Sequence, residues 1–191
     1  MRLFRETDSE SRIRIRFVRG STWESTAIAW QEKTTMPFTP SHVESLTPDG
    51  AHYVGAHMDG GVLARPVGYD RGQVARLPVG ATLESKSAHQ PESGLCDLLV
   101  ELPAISSQVT AYYDFLQSKI GEPYDWRAIL GFLLPEHEHQ TQHAICSAVT
   151  TLALRAPGCE WLSYRLSAPA HLVDPRDLLL VLSTHVQIPG V

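Results

Sequence analysis

Polar and apolar residues alternate without a break from Arg12 to Phe17 in Arg12-Ile13-Arg14-Ile15-Arg16-Phe17-Val18. A period of two predicts a half-buried strand with Ile13, Ile15 and Phe17 toward a core. The arginines of the other face read as a solvated strand face, since no aromatic residues interleave with them as in a nucleic-acid-binding stripe. Gly20-Ser21 breaks the strand, and Ser21 or Thr22 is placed to cap a helix running to Lys33, with Trp23, Ala27 and Trp30 on one face. Pro37 and Pro40 end that segment and force an extended approach into Ser41-His42-Val43-Glu44-Ser45-Leu46. The alternation there predicts a short strand with His42 and Glu44 on one face.

Pro48-Asp49-Gly50 is a turn signal, and His52 to His57 follows as a strand forming a hairpin with the one before. Asp59-Gly60-Gly61 turns the chain into a further strand, Val62 to Pro66, so an antiparallel meander is expected. Residues 73–79 and 97–102 are two more candidate strands, separated by a loop rich in Ser, His and Gly from Ser85 to Gly94. From Ala104 the period changes: Ile105, Val109, Tyr112, Tyr113, Leu116 and Ile120 recur at steps of three and four, which predicts an amphipathic helix ending at Gly121. Asp125 is placed to cap a short apolar helix through Leu134, and a polar loop from Pro135 leads to His143. A run of small and apolar residues then follows Cys146 for nearly three turns and predicts a buried helix that Pro157-Gly158 ends. The last apolar stretch, Leu178 to Leu182, reads as a short helix or an edge strand.

The chain has 191 residues and 43% hydrophobic content, which suits one well-cored domain spanning 1–191, with residues 1–11 expected to fray. A net charge of -5 and a pI near 6.0 give no general attraction to nucleic acid or anionic membrane, so neither is an expected partner. The N-terminus lacks the apolar core of a signal peptide and no apolar run is long enough to span a bilayer, so no integral membrane segment is expected. An odd count of 3 cysteines, Cys96, Cys146 and Cys159, leaves at least one thiol free and favours a reducing, cytoplasmic compartment.

Cys146 stands at the start of its helix, where unpaired N–H groups and the positive end of the dipole favour a thiolate. Nucleophilic thiol chemistry also needs an imidazole, a polar group to orient it and donors for an oxyanion. His42 and Glu44 supply candidates for the first two. Taken without further support, a buried cysteine and a strand histidine also fit a plain structural role. A second grouping, His137, His139, His143 and Cys146, has zinc-compatible donors. Its spacing matches neither Cys-x-x-Cys nor His-Glu-x-x-His, and a solvated histidine-rich loop explains it, so no metal and no cofactor are expected. Asp59-Gly60-Gly61 lacks the lysine and glycine spacing of a phosphate cradle and is explained by a hairpin turn.

Ser41-His42-Val43-Glu44, Pro48-Asp49-Gly50, Gly55-Ala56 with Asp59-Gly60-Gly61-Val62 and Arg65-Pro66, Gly121-Glu122-Pro123-Tyr124-Asp125-Trp126, and Cys146-Ser147 follow one another in that order. The series resembles the circularly permuted branch of the NlpC-like papain-fold cysteine hydrolases, the YaeF and YiiX type, and more remotely the lecithin:retinol acyltransferases. The likeness covers roughly residues 13 to 182, with the histidine strand first and the cysteine helix last. It implies an α+β fold of permuted papain-like type, an antiparallel sheet packed against a central cysteine-bearing helix. It also implies a cysteine peptidase or amidase with Cys146 as nucleophile and His42 as base, acting through an acyl-thioester on a peptide or other small amide. Cell-wall peptides are the substrates that the wider family suggests, and its phage-borne members suggest a phage or prophage context. Many relatives carry a polar orienting residue on the strand after the histidine strand, where this chain has Gly55. That leaves Glu44 or His57 for the role, and Glu44 is favoured because a carboxylate best stabilises an imidazolium. Cys146-Ser147-Ala148 also lacks the acidic residue that often follows Cys-Ser in relatives. These two departures keep open a catalytically silent papain-fold module that binds a peptide or protein. The lipid-active relatives keep open a thiol acyltransferase or lipid hydrolase.

Overall fold

A computed structural model describes residues 11–19, 40–70, 75–76, 96–124, 145–163 and 165–183, with the strand path alone for 75–76, 96 and 97. The strands are β1 (Arg12–Arg19), β2 (His42–Leu46), β3 (His52–His57), β4 (Gly61–Pro66), β5 (Ala75–Arg76) and β6 (Cys96–Pro103). The helices are α1 (Ser106–Lys119), α2 (Cys146–Arg155) and α3 (Pro175–Ser183), with a single 3₁₀ turn at Ala170–Leu172. The fold is α+β: a six-stranded sheet in the order β4-β3-β2-β1-β6-β5, antiparallel except for the short edge strand β5, which runs parallel to β6.

The expected meander is present as β2-β3-β4, and β1 lies between β2 and the returning β6. Alternation along β1 sorts its side chains as the sequence predicts, with Ile13, Ile15 and Phe17 fully buried. They join Val43, Val54, Ala56, Val100 and Leu102 from the sheet with Tyr112, Tyr113, Leu116, Cys146, Val149, Ala153 and Leu154 from α1 and α2 in one core. Two tyrosines pin α1 to β2: Tyr112 Oη lies 2.6 Å from Ser45 Oγ, and Tyr113 Oη donates to the Leu46 carbonyl at 2.6 Å. The helix α2 packs across β2 and β3. The last apolar stretch is the helix α3, whose N-terminus is capped by Asp174, with Oδ1 accepting the Asp177 N–H at 2.6 Å.

The opposite face of the sheet differs from the solvated arginine face expected. Arg12 and Arg14 are about one-third exposed and share Glu101, each at 3.0 Å, and Arg16 is buried. Residues β4 to Asp70 account for part of that burial, since Asp70 and Tyr69 reach back over the sheet from the turn after β4. The 59–61 segment is a hairpin turn, and Gly61 has φ +78, a conformation suited to glycine. Any side chain at Gly61 would meet the Glu122 carbonyl, which accepts the Val62 N–H at 2.8 Å and ties β4 to the end of α1. The helices expected over 21–33 and 125–134, most of the 73–79 strand, and the loops over 85–94 and 135–143 lie outside the described residues.

Candidate active site

The site follows from strand register. In the pairing of β1 with β2, Arg16 stands opposite Glu44. In the pairing of β2 with β3, Ser45 stands opposite Val54 and Leu46 opposite Tyr53. Continued toward the start of β2, that register puts Glu44 opposite Gly55 and His42 opposite His57. The distances agree: a Cβ on Gly55 would lie 2.9 Å from Glu44 Cβ, and the His42 and His57 ring centroids are 4.9 Å apart. Since Val43, Ser45, Val54 and Ala56 turn to the helical layer, period two sends His42, Glu44 and His57 to the other face. Gly55 is therefore the cross-strand neighbour of Glu44, and its missing side chain leaves room for the carboxylate's stem.

Glu44 is fully buried and fully engaged. Arg16 Nη1 donates to Oε1 at 2.6 Å, and Tyr69 Oη donates to Oε2 at 3.1 Å. Arg16 donates with its other terminal nitrogen to Asp70 at 2.8 Å, and its guanidinium lies over the Tyr53 ring at 4.6 Å. Charges this deep are tolerated only when paired and hydrogen-bonded on every side, which is what Arg16, Asp70 and Tyr69 provide. The carboxylate then faces two imidazoles, with Oε2 3.7 Å from His42 Nε2 and 3.8 Å from His57 Nε2. Both separations are just beyond hydrogen-bond length.

His42 is the first residue of β2 and Cys146 the first of α2, and the two side chains interact. With Nε2 turned to Glu44, Nδ1 is the nitrogen left for the Cys146 thiol. Cys146 opens α2 and is 6% exposed, while the His42 side chain is 22% exposed with its Nε2 enclosed. The cap residue of α2 is Ile145, which has no side-chain oxygen to satisfy the first-turn N–H groups.

Electrostatics sort the four groups. Burial works against the Cys146 thiolate, but the hydrogen bond and positive charge of His42 and the backbone N–H groups of Val43 and Ser147 outweigh it, and the pKa lies below that of an ordinary thiol. Burial likewise opposes charge on His42, yet Cys146 and Glu44 push its pKa up to about 10. Glu44 resists its own desolvation because His42, Arg16 and His57 hold it below the usual carboxylate range. His57 goes the other way: burial, then the charge of His42, lower it to about 4, so it is neutral at pH 7. At neutral pH the arrangement is an imidazolium with a carboxylate behind it and a neutral imidazole alongside, set against a thiol whose ionisation the imidazolium favours. Cys159, also a free thiol, is raised by burial.

The structure thus brings together Cys146, His42, Glu44 and His57, each singled out from the sequence. It adds Arg16, Tyr69 and Asp70, which sequence reasoning passed over. Arg16 was visible as a polar position on the face shared with Glu44, but nothing in the alternation says what covers that face. His137, His139 and His143 lie outside the described residues. No helix among the described residues is long and apolar enough to cross a membrane. No protein-family model matches the chain, and no curated protein matches it.

Proposed function

We propose that the protein is a cysteine hydrolase of permuted papain-like, NlpC-related type that cleaves an amide bond, with cell-wall peptides as the substrate class. The observation that carries this reading is the contact of Cys146, at an uncapped helix start, with an imidazole whose far nitrogen faces a buried carboxylate. A lone structural cysteine has no need of such surroundings, and burial without them raises a thiol pKa, as at Cys159.

In the reaction, the Cys146 thiolate attacks the carbonyl carbon and the carbonyl oxygen takes up negative charge. The Cys146 N–H at the start of α2 donates to that oxygen. The C–N bond then breaks, His42 gives its proton to the departing amine, and an acyl-thioester remains on Cys146. Water, deprotonated by His42, attacks the thioester, releases the acid and restores the thiolate–imidazolium pair. Glu44 holds the ring and offsets its charge at both protonated stages.

The test is turnover of peptidoglycan stem peptides by the purified protein, followed by chromatography of the released fragments, with Cys146→Ala and His42→Ala as controls. Cleavage abolished by both changes is the expected result. Cleavage that persists in Cys146→Ala overturns the mechanism. Labelling of Cys146 by a thiol-directed probe without any turnover would favour a silent binding module of the same fold.

A further inference from the structure

Two ring nitrogens in the site are enclosed without a hydrogen-bond partner among the described residues, His42 Nε2 and His57 Nε2. Leaving such groups unsatisfied is costly, and native proteins rarely do so without a functional reason. Both nitrogens are aimed at the same atom, Glu44 Oε2, at 3.7 and 3.8 Å. The three ligand-type atoms all lie within 4.8 Å of one another. His57 is 8% exposed and Glu44 0%, so these are not mobile surface side chains.

Two imidazoles and a carboxylate are the donor set of open zinc and non-haem iron sites. Tetrahedral zinc, with bonds of about 2.1 Å, sets its ligands about 3.4 Å apart, so a modest contraction around Oε2 would close the site. The carboxylate is already oriented, as metal-binding carboxylates are, by Arg16 on Oε1 and Tyr69 on Oε2. Charge also favours a cation: Arg16 is matched by two carboxylates, Glu44 and Asp70.

We propose that His42, Glu44 and His57 bind a zinc-like divalent transition-metal ion, and that the bound ion switches the Cys146 thiol off. The ion takes the lone pair of His42 Nε2. The imidazole then keeps its single proton on Nδ1, toward Cys146, and can neither accept the thiol proton nor supply one to a leaving amine. From the imidazolium–thiolate form, the proton displaced from Nε2 passes through solvent to the Cys146 sulfur, so the products are a metal-bound neutral imidazole and a neutral thiol. The fourth coordination position stays open to water. The switching half rests on the catalytic reading above; the metal site does not.

Metal-stripped full-length protein would be titrated with cobalt(II), following the visible absorption of a tetrahedral site, and with zinc by calorimetry. One ion per chain is expected, with affinity reduced by at least about 100-fold in His57→Ala and in Glu44→Gln, since even partners of ligands cost 10 to 100-fold. Cys146→Ser should retain the site. Circular dichroism would establish that the variants fold, and His57→Ala, which leaves the Arg16–Glu44 pair intact, carries the test if Glu44→Gln does not. No binding to the wild type overturns the site; binding undiminished in His57→Ala also overturns it and points to other ligands such as His137, His139 and His143. Binding lost in Cys146→Ser but kept in His57→Ala overturns it as well. For the switch, zinc should slow iodoacetamide alkylation of Cys146, and a chelator should restore it. Metal binding with unchanged alkylation overturns the switch alone. Absent turnover with metal binding that depends on His57 removes the catalytic reading and leaves the metal site standing.

Discussion

Replacing Glu44 with glutamine removes the negative charge behind His42 while keeping the shape of the side chain. A carboxylate about 4 Å from an imidazolium interacts with it by about 4 kcal/mol at the effective dielectric of a partly screened site. Glu44 Oε2 lies 3.7 Å from His42 Nε2, so that figure applies, but Arg16 sits 2.6 Å from the other oxygen and cancels part of it. A remainder of roughly 2–3 kcal/mol corresponds to about a 10²-fold loss of rate. The fold should survive, because Arg16 keeps Asp70 at 2.8 Å and the glutamine carbonyl can still accept from it. His57→Ala removes no charge near neutral pH, where His57 is deprotonated, and should cost less than about tenfold. The assay is turnover of a stem-peptide substrate together with an NMR titration of His42 in metal-free buffer. The His42 pKa should fall from about 10 in Glu44→Gln and stay high in His57→Ala. The reverse order of rates would refute the reasoning and transfer the orienting role to His57. If neither change matters while Cys146→Ala abolishes turnover, the enzyme is a dyad.

Gly55→Ala should destabilise the protein by about 1–3 kcal/mol and lower turnover, because its Cβ would lie 2.9 Å from Glu44 Cβ and 3.1 Å from the Val43 carbonyl oxygen. Thermal melts and turnover check this, and an unperturbed variant would mean that the strands separate easily there. Arg16→Met leaves the Glu44 carboxylate buried without its guanidinium and should cost roughly 3–5 kcal/mol in denaturant unfolding. His57 shapes the acid limb of stability in chelator-containing buffer. Its folded pKa of about 4 lies below the ordinary 6.5, so the unfolded chain takes up the proton first. Stability is therefore lost as pH falls from 6.5 to about 4, by up to roughly 3 kcal/mol, and His57→Gln should flatten that limb.

The fold was legible where one periodicity ran long enough to choose an element. Alternation at Arg12–Val18 identified both the strand and its buried face, and the steps of three and four from Ile105 to Ile120 identified α1. Leu178 to Leu182 was too short for its period to separate helix from strand, and the local signal that decides the matter, Asp174 capping a helix that begins at Pro175, lies just ahead of that stretch and was passed over. At the site, the shared face of His42 and Glu44 came directly from their spacing of two. The pairing of Glu44 with Gly55 and of His42 with His57 did not, because it depends on strand register, which no local pattern specifies. The buried Arg16–Asp70 pair was hidden for a related reason: alternation separates the two faces of a strand but does not say that Tyr69 and Asp70 return over one of them.

The proposed catalysis, and the metal switch with it, depend on Cys146 being ionised through His42 near neutral pH. The direct measurement is the rate of iodoacetamide alkylation of each cysteine as a function of pH, resolved by mass spectrometry in metal-free buffer. Cys146 should be alkylated with a midpoint below the ordinary value of about 8.5, while Cys159 stays slow. His42→Ala should carry the Cys146 midpoint back up. A Cys146 profile with a midpoint at or above about 8.5, or one that His42→Ala leaves unchanged, would contradict the account.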